Sequence, residues 1–146
     1  MTRAGRSWSI TWAAQGYDLV RVADTESREH GTDVVARRCG RLRHAEVKGW
    51  PSHVHRDITK AHLVKPTSPA AQARVWFDDG IVHALRLRHA HPDDEVAICF
   101  PDRTTYRHLL DGIALSLDRA SVLALLVSED GTVTALPTAA PPGQDV

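Results

Sequence analysis

Two short runs, Val96–Phe100 and Val122–Val127, are almost wholly apolar, and a run with no polar face has nothing to offer water. Both are too short to be helices of ordinary length, so each is expected as a buried strand in a sheet covered by other elements. Between them Leu109, Leu110, Ile113, Leu115 and Leu117 recur at helical spacing after Pro101-Asp102, which predicts a helix joining the two strands.

Upstream, Leu19, Val20 and Val22 mark a strand over Asp18 to Ala23, and the polar stretch Asp24 to Gly31 ends it. Asp33-Val34-Val35-Ala36 and Leu42 to Val47 flank Arg37-Arg38-Cys39-Gly40-Arg41, whose glycine permits a tight connection, so the two runs are read as a β-hairpin. Trp8, Ile10, Trp12 and Ala13 have helical spacing over Ser7 to Gln15, with Gly16 placed as a C-terminal cap. Gly49 to Pro66 has no clear period, and Ser68-Pro69 supplies a cap and a first-turn proline for a helix over Ala70 to His89. Asp79-Gly80 inside that helix also fits a hairpin turn. After Glu129-Asp130-Gly131, Thr132 to Leu136 is read as a closing segment, and Pro137 to Val146 as a frayed tail.

The order is helix, three strands, helix, strand, helix, strand, which points to an α/β fold with a mixed sheet flanked by helices. A chain of 146 residues with 42% apolar content supports one core, so a single domain over 1–136 is expected, followed by the tail 137–146. Cys39 and Cys99 lack metal-ligand spacing and are read as small reduced core residues. Met1 to Thr11 has no apolar targeting core, and no stretch approaches the roughly 20 apolar residues of a membrane span, so a cytoplasmic protein is expected. Eighteen basic and eighteen acidic residues cancel, so attraction for phosphate has to come from local clustering.

One constellation carries chemistry. Glu46 and Lys48 are two apart on a strand, so both leave the same face while Val47 points into the opposite layer. Asp33 opens the neighbouring antiparallel strand, beside Glu46 at the open end of the hairpin. Two carboxylates and an ammonium in a small volume suit a hard divalent cation that also accepts phosphate oxygens. As an exposed cross-strand ion pair, the same residues would have little energetic value.

Gly31-Thr32-Asp33 followed by Glu46-Val47-Lys48-Gly49 resembles the signature of the PD-(D/E)xK nuclease superfamily, and the order of elements is similar to its restriction endonuclease-like αβββαβ core. The resemblance implies a Mg²⁺-dependent (endo)nuclease, with Mn²⁺ as a substitute, that hydrolyses phosphodiester bonds in DNA. It implies Asp33, Glu46 and the Val47 carbonyl as metal ligands and Lys48 as the residue that orients the nucleophilic water or steadies the transition state. Gln72-Ala73-Arg74-Val75-Trp76 is similar to the Gln-x-x-x-Tyr pattern of some subfamilies, with Trp in place of Tyr, which adds Gln72 as a catalytic candidate. The proline that names the motif is absent before Asp33, and the first helix is short for the family.

Arg37, Arg38, Arg41 and Arg43, with His44, cluster on the hairpin as candidate phosphate contacts or as a solvated tip. Asp18, Glu26 and Glu29 are candidates for a further metal ligand or plain solvated charges. His53-Val54-His55-Arg56-Asp57 is similar to the His-x-His-x-Asp of metallo-β-lactamase-like hydrolases, but Ile58 stands where a further His is needed. His91-Pro92-Asp93-Asp94-Glu95 matches the zinc motif of the LmbE-type N-acetylglucosaminyl deacetylases, but without the Gly-rich turn and downstream His pair of that family, and Pro-Asp-Asp there is more simply a turn. A nucleic-acid- or protein-binding module of the same fold without activity is the alternative function, and a homodimer or a subunit of a defence or repair system is the expected assembly.

Overall fold

The structure is a computed structural model, which describes residues 12–23, 33–48 and 68–136. The start of the first helix, the loop 24–31, the segment 49–66, the tail 137–146, Glu26, Glu29 and the His53–Asp57 motif lie outside the described residues. Six strands form one sheet in sequential order: β1 (Asp18–Val22), β2 (Val34–Arg38), β3 (Arg41–Val47), β4 (Glu95–Pro101), β5 (Val122–Val127) and β6 (Val133–Ala135). The first three are antiparallel neighbours, β3–β4 and β4–β5 are parallel, and β6 returns antiparallel. Each parallel step is bridged by helix: α1 (Pro69–Ala90) between β3 and β4, and α2 (Thr104–Asp111) with α3 (Ala114–Arg119) between β4 and β5. This is the mixed α/β sheet with flanking helices expected from the restriction endonuclease-like core.

The two apolar runs are the centre of the sheet. Val96, Ile98 and Phe100 of β4 and Val122 and Leu126 of β5 pack on one face with Ala73, Phe77 and Ala84 of α1, Tyr106 and Leu110 of α2, and Leu117 of α3. The alternate residues Ala97, Cys99, Leu125 and Val127 face the other way, onto Trp12, Tyr17, Val34, Ala36 and Ala45. The strand period of two thus sorts one sequence into two cores. Gly16 takes φ +84°, and the amides of Gly16 and Tyr17 donate back to Ala13 O and Trp12 O at 3.0 and 2.9 Å, which is the helix ending expected of a glycine there.

Three details depart from expectation. The hairpin connection is only Cys39-Gly40, both at positive φ (51° and 75°), so Arg37, Arg38 and Arg41 belong to the strands. A two-residue turn with left-handed backbone at both positions matches the twist of the strands it joins. Cys39 is consequently exposed, and only Cys99 is a core thiol. The expected single helix after Pro101-Asp102 is two, because Gly112 interrupts it: Ile113 N–H donates to Leu110 O at 3.1 Å, a tightened turn in place of helical continuation.

The start of α1 is as expected: Ser68 caps it, its hydroxyl accepting from Ala71 N–H at 3.2 Å, with Pro69 in the first turn. Asp79-Gly80 is helical. A Cβ at Gly80 would lie 3.1 Å from Ile98 Cδ1, 3.2 Å from Lys48 Cε and 3.3 Å from Phe100 Cζ, so the glycine sets how closely α1 approaches β3 and β4. Among the described residues no helix is long and apolar enough to cross a membrane.

Candidate active site

The β2–β3 register pairs Val34 with Ala45, which places Asp33, one residue earlier, opposite Glu46. Asp33 Oδ2 accepts the Val47 N–H at 2.9 Å. In an extended strand the N–H and C=O of one residue point to the same side, so the Val47 carbonyl is also directed to the Asp33 side. On the sheet face, Glu46 is buried and Lys48 half-buried, and Lys48 Nζ lies 2.8 Å from Glu46 Oε1. Asp33, Glu46, Val47 and Lys48 therefore form one group at the C-terminal end of β3.

α1 adds two residues that the sequence reading did not single out. Asp79 Oδ2 lies 2.7 Å from Lys48 Nζ, and His83 Nδ1 lies 3.1 Å from Glu46 Oε1, with His83 Nε2 3.7 Å from Asp79 Oδ1. The match is geometric. Two residues on a strand advance about 6.6 Å and four residues on a helix about 6 Å, so Lys48 and Glu46 meet Asp79 and His83 in turn. Two residues further back, His44 meets the end of the helix, its ring stacked on His91 with centroids 3.6 Å apart. The legible signal was the Asp79/His83 spacing of four on a helix facing a charged strand; the Asp79-Gly80 turn reading masked it.

The electrostatics are those of a site with surplus negative charge. Burial, opposed by the Val47 hydrogen bond and reinforced by the Glu46 carboxylate, pushes Asp33 up to about 6. Burial pulls the Lys48 ammonium down, but hydrogen bonds to Asp79 and Glu46 outweigh it and hold its pKa above the ordinary value. Asp79 is held below the usual carboxylate range by its hydrogen bond to Lys48. Three carboxylates thus share one firmly charged ammonium. Glu46, Asp79 and His83 present one donor atom each within 4.8 Å of one another, and Asp33 stands across from Glu46 in the β2–β3 register. Asp33 is raised mainly by burial and then by the Glu46 carboxylate, and hard oxygen donors with one imidazole fit a Mg²⁺- or Mn²⁺-class ion.

The other candidates lie elsewhere. Gln72 is buried on α1, seven residues or about 10 Å along the axis from Asp79. Arg37, Arg38 and Arg41 are exposed around the turn, at the opposite end of the hairpin from Asp33, about five residues or 16 Å from Glu46. Arg43 is mostly buried: its guanidinium bonds Glu95 at 3.0 Å and lies over the rings of Tyr17 and Trp12, 4.5 and 5.3 Å from their centroids. Asp18 is exposed on the edge strand β1. His91-Pro92-Asp93-Asp94 forms the turn between α1 and β4.

No protein family's sequence profile matches the chain, and no curated protein sequence does. Solved structures share its fold. A XisH family protein from Nostoc punctiforme PCC 73102 superposes with a TM-score of 0.55 at 15% identity, over 92% of this chain and 99% of its own. An fdxN element excision controlling factor protein from Anabaena variabilis gives 0.56 at 16% identity, over 94% of this chain and 100% of its own. The similarity spans essentially the whole of both proteins, and at this identity it establishes the fold.

Proposed function

We propose that the chain is a metal-dependent nuclease of the PD-(D/E)xK type that hydrolyses phosphodiester bonds in DNA. The observation that carries this reading is the hydrogen bond from Val47 N–H to Asp33, which gathers Asp33, Glu46, Val47 and Lys48 into the constellation that the motif implies. Asp33, Glu46 and the Val47 carbonyl would hold Mg²⁺ or Mn²⁺. When bound, such an ion supplies charge neutralisation at the scissile phosphate and a more acidic water. Lys48, kept protonated by Glu46 and Asp79, stabilises negative charge on the phosphate oxygens and is a poor general base. Asp79 positions Lys48, and His83 holds the Glu46 carboxylate from the helix side.

The second reading is a module of the same fold that acts by binding, and the excision controlling factor protein among the structural neighbours favours it. Incubation of plasmid and single-stranded DNA with the purified protein in Mg²⁺, Mn²⁺ or EDTA separates the two. Metal-dependent cleavage lost in Asp33→Ala and Lys48→Ala is the outcome expected of the nuclease; DNA binding without cleavage, unchanged in Glu46→Ala, is the outcome expected of the module.

A further inference from the structure

The turn after α1 brings together a second donor set that the proposed nuclease does not use. His44 projects from the middle of β3 with its side chain 7% exposed, and its Nε2 lies 2.8 Å from Asp94 Oδ2. His91 Nδ1 lies 3.8 Å from the same oxygen. The three residues each offer one ligand atom, all within 4.8 Å of one another.

Burying an imidazole on a strand is costly unless its polar atoms are used. Nε2 of His44 faces Asp94, and the ring lies stacked against the His91 imidazole. Arg88, in the last turn of α1, donates to the carbonyls of His91 and, at 2.7 Å, Asp94. That arginine fixes the path of the turn and so the positions of both its donors.

We propose that His44, His91 and Asp94 form a cation site for a zinc-class divalent ion, distinct from the Asp33–Glu46 group. Two imidazole nitrogens and one carboxylate oxygen are a donor set of borderline softness, which favours Zn²⁺, Co²⁺ or Ni²⁺ over Mg²⁺ or Ca²⁺. Arms of about 2 Å in tetrahedral geometry put ligand atoms about 3.3 Å apart. The observed 2.8 and 3.8 Å bracket that value. Closure needs the His91 ring, 35% exposed, to swing out of its stack while the buried His44 stays fixed, and solvent supplies the fourth ligand. His44 and Glu46 are two residues apart, about 6.6 Å along the strand, beyond the roughly 3.5–4 Å of a two-metal centre. The ion would clamp the α1–β4 turn to β3 and leave the nuclease chemistry to its neighbour.

The test uses the full chain carrying Asp33→Ala and Glu46→Ala, stripped with EDTA and titrated with Co²⁺ and Zn²⁺. One equivalent of Co²⁺ is expected, with the visible absorption of a four-coordinate nitrogen–oxygen site, displaced by Zn²⁺ and unaffected by millimolar Mg²⁺. Adding His91→Ala or Asp94→Asn should weaken binding at least tenfold. His91 is at the surface end of the turn, so His91→Ala keeps the test informative even if a change at buried His44 unfolds the protein. No Co²⁺ binding in this background, or binding unchanged by His91→Ala, overturns the proposal, and neither result bears on the nuclease.

Discussion

The Val47 amide and the Asp33 carboxylate, 2.9 Å apart, lock the open end of a hairpin whose other end is closed by Cys39-Gly40. The bond extends the β2–β3 ladder by one side chain where the backbone pairing stops, and it sets Asp33 beside Glu46 as two acids that repel. Its geometry favours the charged form of Asp33, while burial and Glu46 favour the neutral form and prevail.

Asp33 therefore destabilises the folded metal-free protein at neutral pH. A carboxyl raised to about 6 from 3.8 contributes stability fully present below about pH 4, which is lost as pH rises through 6. Asp33→Asn keeps an oxygen for the Val47 amide and removes the charge. Melting without metal should show the variant more stable at pH 7.5, on the order of 1–3 kcal/mol, and equal to wild type at pH 3.5. A variant equally destabilised at both values would mean that the carboxylate is not strained.

Lys48 occupies the space between Glu46 and Asp79 that a cation would contest. Lys48→Met should lose at least about 100-fold in cleavage through the missing charge stabilisation. Its Mn²⁺ affinity should be unchanged or higher, since an ammonium no longer competes for Glu46. Calorimetric titration alongside single-turnover cleavage separates the two effects; a parallel loss of metal binding would place Lys48 in the cation's support, outside the chemistry.

The strand half of the candidate site was legible because a period of two is strict: Glu46 and Lys48 had to share a face, and an antiparallel return could bring Asp33 near them, while the two-residue turn at Cys39-Gly40 set the register that does so. The helix half was not. Asp79 and His83 meet β3 only because α1 lies close enough for the 6 Å and 6.6 Å repeats to run side by side, a relation fixed by Gly80 and by packing on Ile98 and Phe100. The sheet core was legible from the apolar runs β4 and β5. Arg43 misled for the opposite reason: the Arg-rich string looks uniform, but burial over Tyr17 and Trp12 separates it from neighbours that stay in solvent.

That separation predicts different phenotypes within one cluster. Arg43→Ala removes an ion pair to Glu95 and two ring contacts at a site 11% exposed, and should cost about 1–3 kcal/mol in urea unfolding. Arg37→Ala and Arg41→Ala, both exposed, should stay within about 0.5 kcal/mol. If the hairpin tip holds phosphates, these two weaken DNA binding and flatten its salt dependence; unchanged binding in the double variant removes the tip from the interface.

Gly80 gives the sharpest test of how the helix serves the site. On helix propensity alone, Gly80→Ala should stabilise by about 1 kcal/mol. The added methyl, however, meets Ile98, Lys48 and Phe100 at 3.1 to 3.3 Å together, and overpacking of that kind costs roughly 1–3 kcal/mol. The expected result is no gain or a net loss in urea midpoint, with Lys48 displaced from Asp79 and cleavage reduced several-fold. Gly80→Ser should behave alike, since its Cβ meets the same atoms. A stabilised Gly80→Ala variant with intact cleavage would mean that Ile98 and Lys48 yield at little cost, and that the approach of α1 to β3 is set by the rest of the core.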